Sequence, residues 1–251
     1  MAIVLFDCDG VLVNTEEIAV RNTRNVLRDA GMTYTDEQYE VRLVGYDFAT
    51  LCQNMRDDYF VATGQNLGEQ FFDDMQDRYL REEAAGIAAI TGVRDFVESL
   101  ARAQVPFAIC SNGSVHDIER KTKAVGLYDL FAGRILGRDN VANGKPAPDI
   151  YLAGMSLLGG NEPQKCVVIE DSVIGVRAGH AAGMRVMGHT GGSSTPDGQA
   201  RKLKDAGAVF TAPSMAVIAK ETFGFIEMTA QALSQHNALK RTRRSFGPTP
   251  L

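Results

Sequence analysis

The sequence predicts an α/β protein in which a doubly wound, mostly parallel sheet carries an inserted all-helical domain. Two observations lead to this fold class. From residue 91 onward, short apolar runs alternate with segments of helical length, which is the pattern of a parallel sheet with helices on both faces. Residues 14–90, in contrast, show helical periodicity and a composition of their own, with 15 acidic residues, 7 arginines and no lysine. We therefore predict an α/β core of residues 1–13 and 91–230, interrupted by a helical domain of residues 14–90.

The first strand is predicted at residues 2–6, an apolar run that ends abruptly in Asp7-Cys8-Asp9-Gly10. A short, continuous apolar run of this kind is typical of a buried parallel strand. Two carboxylates just beyond its end would stand at the carboxyl edge of the sheet, where open α/β folds bind their ligands. Like charges this close require a cation or a proton between them, although Asp-x-Asp-Gly also fits a plain turn.

The helical domain begins with an amphipathic helix that we expect Asn14 to cap and Gly31 to end. Helical periodicity then continues to residue 83 with interruptions at glycines, and no strand-like alternation of convincing length occurs. Residues 11–14 and 84–90 are predicted to be the two linkers between this domain and the core.

Five further strands are predicted in the second part of the chain. They cover residues 105–110, 134–136, 166–169, 185–187 and 208–210. Polar side chains follow the ends of several of these strands, namely those of Ser111, Asn112, Lys145, Glu170 and Asp171. Because the carboxyl ends of parallel strands lie along one edge, we expect these side chains to converge on Asp7 and Asp9.

This predicted cluster combines several carboxylates with one hydroxyl and one ammonium group. Carboxylate oxygens with few other ligands suit Mg²⁺, which is often shared with a substrate phosphate. Ser111 and Lys145 supply hydrogen-bond donors for anionic phosphoryl oxygens. The residues by themselves therefore predict a phosphate-binding site next to a metal ion.

The composition narrows the class of protein further. A chain of 251 residues with a net charge of −5 and no apolar run of membrane-spanning length is expected to be soluble, without nucleic-acid or membrane partners. The lack of a signal-like N-terminal segment and of Cys-x-x-Cys spacing favours a cytoplasmic location with reduced cysteines. Residues 235–251 are basic and contain prolines, and we expect them to form a solvated, mobile terminus.

Four motifs, in this order along the chain, resemble those of the haloacid dehalogenase-like (HAD) hydrolase superfamily. They are Asp7-x-Asp9-Gly10, Ser111-Asn112-Gly113, Lys145-Pro-x-Pro-Asp149 and Glu170-Asp171-Ser172. The resemblance runs from residue 1 to about residue 190 and includes a helical cap inserted between the first two motifs. The arrangement is similar to the branch that contains β-phosphoglucomutase, phosphoglycolate phosphatase and sugar phosphatases.

The resemblance implies catalysis through a covalent intermediate. Asp7 is expected to attack phosphorus and form an aspartyl-phosphate, while Asp9 acts first as a general acid and then as a general base. Mg²⁺ is expected to be held by Asp7, Asp171 and the backbone carbonyl of Asp9. Glu170 is expected to be a further ligand, directly or through water.

The same resemblance assigns roles to the remaining polar residues of the cluster. Ser111 and Lys145 are expected to bind the phosphoryl group, and Lys145 is also expected to pair with Asp7. Asn112 is interpreted either as a contact to phosphate or substrate or as a plain turn residue.

Hydrolysis of small phosphomonoesters is the favoured reaction. β-Phosphoglucomutases use a histidine of the first cap helix and basic cap residues, whereas this chain has Ala19 at the histidine position and no basic side chain in residues 45–48. The loop around Arg42, Gly45 and Tyr46 is expected to bind substrate, or else only to pack the cap helices. The acidic cap disfavours bulky polyanions, which leaves sugar phosphates or phosphoglycolate-like esters as substrates.

Two alternatives stay open at this point. A sugar phosphomutase would interconvert hexose phosphates and release little free phosphate. A phospho-receiver protein also places acidic residues and a lysine at the edge of a doubly wound sheet, although the helical domain and Asp9 speak against it. In solution we expect a monomer or a dimer that acts on a small phosphorylated metabolite.

Overall fold

The computed structural model describes residues 1–43, 48–192 and 198–245. These segments contain eight strands: β1 (Ile3–Phe6), β2 (Val13–Asn14), β3 (Ala88–Ala89), β4 (Phe107–Cys110), β5 (Ile135–Leu136), β6 (Cys166–Glu170), β7 (Arg185–His189) and β8 (Phe210–Ala212). Six of them form a parallel sheet in the order β5-β4-β1-β6-β7-β8, and β2 pairs with β3 in a separate ribbon. The predicted parallel sheet is confirmed.

Helices cover both faces of this sheet. The described residues form α1 (Glu16–Asp29), α2 (Asp36–Leu43), α3 (Phe48–Thr63), α4 (Glu69–Ala85), α5 (Val93–Arg102), α6 (Val115–Ala124), α7 (Tyr128–Phe131), α8 (Asp149–Leu157), α9 (Val173–Ala181), α10 (Gln199–Ala206) and α11 (Met215–Ser245). One apolar core joins the sheet to α5, α6, α7 and α11, and a second joins it to α8, α9 and α10. The fold is therefore doubly wound, as the sequence predicted.

Strand β1 lies in the middle of the sheet and is buried on both faces. Val4 and Phe6 belong to one apolar core, whereas Ile3 and Leu5 belong to the other, because successive side chains of a strand point to opposite faces. The neighbours of β1 are β4 on one side and β6 on the other. Where the winding reverses in this way, a crevice opens at the carboxyl end of the central strand.

Helices α1 to α4 pack around an apolar cluster of their own, which includes the buried residues Leu27, Met55 and Phe72. The two short strands β2 and β3 lead into and out of this group of helices and pair in antiparallel fashion, with Val13 opposite Ala89. The two predicted linkers are therefore hydrogen-bonded to each other where the helical group joins the sheet.

The start of α1 differs from the sequence expectation. Thr15, and not Asn14, is the N-cap residue, and its side chain makes no capping hydrogen bond. The Thr15 hydroxyl instead donates to Asp9 Oδ1 at 2.8 Å, while Asn14 belongs to β2. The hydroxyl at the N-cap position therefore binds Asp9, in the loop that follows β1, instead of capping the helix.

The C-terminal part of the chain also departs from expectation. Strand β8 starts at Phe210, two residues later than predicted, and helix α11 continues through Ser245. The segment expected to be a mobile terminus from residue 235 thus begins inside a helix. Met215 and Ile218 anchor the start of α11 in the core, and the alanine, leucine, lysine and arginine residues that follow favour propagation of the helix.

Two further expectations concern the whole chain. The four cysteines are free and buried, as predicted, and burial raises the pKa of Cys110 to about 12, which keeps its thiol protonated. Within the described segments, no helix combines the length and the apolar character needed to cross a bilayer.

Candidate active site

The polar residues that follow separate strands meet at the carboxyl edge of the sheet. Asp7 follows β1, Ser111 follows β4 and Asp171 follows β6. Lys145, from the loop before α8, contacts Asp7 across 138 residues of sequence. Asp7, Ser111 and Lys145 are buried. The convergence predicted from strand ends is therefore found for these four residues.

The ammonium group of Lys145 bridges two buried carboxylates. Its Nζ donates to Asp7 Oδ1 and to Glu170 Oε1, each at 2.6 Å. Burial by itself lowers the pKa of Lys145, but the two carboxylates outweigh this effect and raise the pKa above its ordinary value. Lys145 is thus a permanent cation beside Asp7.

Asn112 holds the loop that carries Lys145. Its Oδ1 accepts a hydrogen bond from the Lys145 backbone N–H at 2.8 Å, and its Nδ2 donates to the Lys145 carbonyl at 3.2 Å. Asn112 therefore positions the loop of Lys145, and its predicted contact with phosphate or substrate stays a prediction. The neighbouring Ser111 Oγ accepts a hydrogen bond from Gly113 N–H at 3.3 Å, which leaves the hydroxyl proton for an anion.

The carboxylate of Glu170 is fully buried and saturated with hydrogen bonds. Its Oε1 accepts from Lys145 and from the Tyr151 hydroxyl at 2.7 Å, and its Oε2 accepts from Asp171 N–H, Ser172 N–H and the Ser172 hydroxyl at 2.9–3.0 Å. Burial raises the pKa of Glu170, but Lys145 outweighs this and lowers it. Both oxygens thus help to fix Lys145 and the loop of Asp171. The prediction that Glu170 ligates the metal, directly or through water, stays a prediction, since one of its oxygens lies beside those of Asp7 and Asp171.

The residues present fit a hard divalent cation. One carboxylate oxygen each of Asp7, Glu170 and Asp171 lies within 4.8 Å of the others. Burial, and after it the charges of Glu170 and Asp7, raise the pKa of Asp171 well above its usual range. The three carboxylates repel one another, and Lys145 alone among the described side chains near them is a cation. A bound metal ion would reduce this repulsion. Asp7 and Asp171 are the first candidates to hold Mg²⁺, and Glu170 is the third carboxylate of the cluster.

Asp9 is held by two donors that reach it from different elements. Its Oδ1 accepts from the Thr15 hydroxyl and from Lys121 Nζ, each at 2.8 Å. Lys121 lies in α6, and its side chain is only 8% exposed. Sequence analysis missed both contacts, because Thr15 resembles a helix-cap residue and Lys121 lies inside a helix with no motif around it.

The predicted substrate loop is only partly within the described residues. Gly45 and Tyr46 lie outside them. Arg42 does not reach the site, because its guanidinium pairs with both oxygens of Asp58 at 2.8 and 2.9 Å and lines a separate groove beside Tyr34. Arg42 thus forms an ion pair between α2 and α3, and its expected substrate contact stays a prediction.

A cavity of about 470 Å³ lies between the carboxylate cluster and the helical group. Its floor comes from the core, and its walls come from α1, α3 and α4. The lining residues are Asp7, Asp9, Gly10, Thr15, Glu16, Ala19, Asn22, Thr23, Leu51, Met75, Gln76, Tyr79, Lys121, Asp171 and Ser172. A cavity of this volume is in the size range of small-molecule sites.

A doubly wound sheet with an aspartate pair, a buried lysine and a further carboxylate at its carboxyl edge is the arrangement that the four sequence motifs led us to expect of a hydrolase. The chain belongs to the haloacid dehalogenase-like hydrolase family, whose model matches residues 1–183. The family resemblance seen in the four motifs is confirmed, and with it the prediction that the chain is an enzyme.

Individual relatives agree with this assignment. The chain is 31% identical over 196 residues to hexitol phosphatase A of Escherichia coli, which covers 76% of this chain and 84% of the relative. It is 33% identical over 184 residues to the protein SUPPRESSOR OF QUENCHING 1, chloroplastic, of Arabidopsis thaliana, which covers 72% of this chain and 17% of that protein. A HAD family hydrolase from Deinococcus radiodurans, crystallised with bound phosphate and sodium, has 32% identity and a TM-score of 0.75, covering 87% of this chain and 93% of that chain.

Gly10 is expected to be essential for the geometry of the cluster. It has a φ of +71°, and a Cβ at this position would lie 1.8 Å from Asp171 Oδ2. We expect Gly10→Ala to push Asp171 away from Asp7 and to lower kcat/KM at least about 100-fold, since a displacement near 1 Å has such an effect. Steady-state phosphate release at saturating Mg²⁺ measures this.

Gly31→Ala is the matched control for backbone strain. Gly31 has a similar φ of +87°, but a Cβ there meets nothing within 4 Å. Both variants are expected to lose about 1–2 kcal/mol of stability from the left-handed backbone, whereas only Gly10→Ala should lose activity. Wild-type kcat/KM in Gly10→Ala would contradict the close packing of Gly10 on Asp171.

Proposed function

We propose that this protein is a Mg²⁺-dependent phosphatase that hydrolyses small phosphomonoesters through an aspartyl-phosphate on Asp7. The observation that carries the proposal is the buried pair of Asp7 and Lys145, 2.6 Å apart, with Asp171 on one side and Asp9 two residues further along the chain. A carboxylate nucleophile, a fixed cation and a neighbouring acid are the groups that phosphoryl transfer requires.

The reaction would proceed in two displacements. Asp7 attacks phosphorus, the ester P–O bond breaks, and Asp9 gives its proton to the leaving alkoxide. A water molecule then attacks the phosphorus of the aspartyl-phosphate, Asp9 takes a proton from this water, and inorganic phosphate is released with Asp7 regenerated. Both steps use the same two carboxylates, so the enzyme returns to its starting state.

The surrounding groups would stabilise charge on the transferring phosphoryl group. Lys145 and the Ser111 hydroxyl are placed to donate hydrogen bonds to its oxygens. Mg²⁺, held by Asp7, Asp171 and the backbone carbonyl of Asp9, supplies further neutralisation when it is bound. Asn112 and Glu170 would act indirectly, because they fix Lys145 and the loop of Asp171.

The cavity supports substrates with a single phosphate. Lys121 is the one cationic side chain among the described residues that line it, and it is outnumbered by the carboxylates of Asp7, Asp9, Glu16 and Asp171. A second phosphate on the substrate would therefore meet net negative charge. Sugar phosphates and phosphoglycolate-like esters are the proposed class, and hexitol phosphatase A is among the relatives.

We also propose that residues 14–90 act as a cap over residues 1–13 and 91–230. The cap helices α1, α3 and α4 supply cavity walls, and the β2–β3 ribbon is the place where they join the core. Closure over this ribbon would exclude bulk water during the transfer. A cytoplasmic location and a monomeric or dimeric state are further parts of this proposal.

A panel of phosphorylated metabolites tests the proposed reaction, with free phosphate and isomer formation scored together. We expect phosphate release in multiple turnovers, at least from one sugar phosphate or small phosphomonoester, and no isomer. Isomer formation without phosphate release would instead establish a phosphomutase. Labelling of the protein to one equivalent without turnover would establish a phospho-receiver.

A further inference from the structure

Lys121 lies between Asp9, the proposed general acid, and Glu83 at the end of the cap helix α4. Its Nζ donates to Asp9 Oδ1 at 2.8 Å and contacts Asp117 Oδ2, one helical turn earlier in α6, at 2.9 Å. The side chain of Lys121 is 8% exposed, so these contacts are made largely out of solvent. Screening by water is weak in such a position, and the ammonium group is held firmly.

Glu83, in the last turn of α4, lies on the other side of Lys121. Its side chain is fully buried, Oε2 accepts from Arg120, and Oε1 lies 3.6 Å from Lys121 Nζ. Within the described segments this Oε1 has no hydrogen-bond partner. A buried carboxylate oxygen in that state is strongly destabilising unless a cation is near, and Lys121 is such a cation.

The two donors on Asp9 act on the same oxygen. Thr15 and Lys121 both bind Oδ1, whereas Oδ2 accepts no hydrogen bond from any described side chain, and Asp9 lines the substrate cavity. Fixing one oxygen restricts rotation of the carboxyl group and leaves the other for proton exchange with a leaving group or water. Accurate placement of an acid is a large part of its catalytic effect.

We propose that Lys121 is a positioning residue for Asp9, and that Asp117 and Glu83 hold its ammonium group in place between core and cap. This inference rests on the proposed phosphatase function, in which Asp9 protonates the leaving group. Lys121 acts through Asp9 and not on the phosphoryl group, since Lys145 occupies the position beside Asp7. Its loss should therefore matter most where the leaving group needs a proton.

The test compares two phosphate esters in the full-length enzyme. An alkyl phosphate, the best substrate of the panel, leaves as a basic alkoxide, whereas p-nitrophenyl phosphate leaves as a stable phenolate that needs little help from an acid. For Lys121→Met we expect kcat/KM to fall about 30-fold with the alkyl phosphate and less than about 5-fold with p-nitrophenyl phosphate. The first loss is smaller than the about 100-fold or more that a general acid contributes, because Asp9 itself is kept. KM should change little, because Lys121 does not hold the phosphoryl group.

Lys123→Met is the matched control. Lys123 lies two residues further along α6, its side chain is 54% exposed and it pairs with Glu119. We expect wild-type kcat/KM for both esters in this variant. Asp9→Asn is the reference for loss of the general acid. It should lower kcat/KM more for the alkyl phosphate than for p-nitrophenyl phosphate, as Lys121→Met does, and by a larger factor. Lys121→Arg should recover most of the activity lost in Lys121→Met.

Three results would overturn the inference about Lys121. They are equal losses for the two esters, which a merely structural role would produce, no loss for either ester, or an increase in KM with kcat unchanged. If Lys121→Met is unfolded at the assay temperature, Lys121→Gln is measured by the same criterion. Failure of the proposed function itself is a separate result, because the unmodified enzyme would then release no phosphate from either ester.

Discussion

Replacing Asp7 with asparagine is expected to reduce turnover by a factor on the order of 10⁴ or more, because an amide cannot form the aspartyl-phosphate. The fold should stay intact. The amide has the shape of the carboxyl group, its oxygen still accepts from Lys145, and Lys145 keeps Glu170 as its ionic partner at 2.6 Å. Steady-state phosphate release and a circular-dichroism melting curve measure the two parts of this prediction.

Asp205→Asn is the control for the chemical change itself. Asp205 lies in α10, its side chain is 73% exposed and it contacts only Arg201 among the described ion pairs. This variant is expected to keep wild-type turnover and stability. Substantial phosphate release by a freshly purified Asp7→Asn protein would show that another residue is the nucleophile.

Removal of divalent metal is expected to abolish turnover, and Mg²⁺ should restore it. Without a cation, the carboxylates of Asp7, Glu170 and Asp171 share only Lys145, and Asp7 is further disfavoured as an anion, since burial raises its pKa to about 7 despite Lys145. A cation at Asp7 and Asp171 favours the ionised nucleophile. Activity after treatment with EDTA, and after addition of excess Mg²⁺, is the direct measurement.

Thermal stability provides a readout of metal binding that is independent of activity. Mg²⁺ at about 100 times its dissociation constant should stabilise the native state by about 2.7 kcal/mol. Asp171→Asn should lose most of this gain, whereas Asp205→Asn should keep it. An EDTA-treated protein with full activity and no Mg²⁺-dependent shift in melting temperature would exclude a metal at this site.

The same measurement has a predicted dependence on pH. A carboxyl group whose pKa is raised on folding stabilises the native state at low pH, and this contribution is lost as the pH rises through the folded value. For Asp7, with a folded pKa of about 7 against 3.8 for the free group, the metal-free protein should lose stability between about pH 4 and pH 7. Mg²⁺ should reduce this loss, and melting curves in EDTA and in Mg²⁺ across this range compare the two states.

The residues that were expected to converge and that the structure brings together are those with a local signal in the sequence. Asp7, Lys145 and Asp171 each stand at the end of a strand or in a loop that follows one, and parallel strands place such positions on a single edge. The alternation of short apolar runs with segments of helical length likewise predicted the doubly wound sheet, because both patterns arise from the burial of neighbouring residues. The predicted N-cap of α1, Asn14, was wrong although it also rested on a local signal. Thr15 is the N-cap residue, and its hydroxyl donates to Asp9 instead of capping the helix.

The contacts that sequence reasoning missed depend on residues far apart in the chain. Lys121 meets Asp9 across 112 residues, and nothing around Lys121 in α6 distinguishes it from an ordinary surface lysine. Arg42 was expected to contact substrate, but its guanidinium pairs with both oxygens of Asp58 in the next helix. Glu170 was expected to be a metal ligand, and the five hydrogen bonds that its oxygens accept from three segments were not foreseen.

The amino-acid sequence alone determined the family, the parallel sheet and the acidic pair at its edge. This was possible because strand patterns and motifs can be recognised from residues that are neighbours in the chain. Only the tertiary structure decided which polar groups are still available for a ligand and which already serve the protein. A hydrogen-bonding group has a limited number of partners, and in a folded chain most of these partners come from segments that the sequence does not place together.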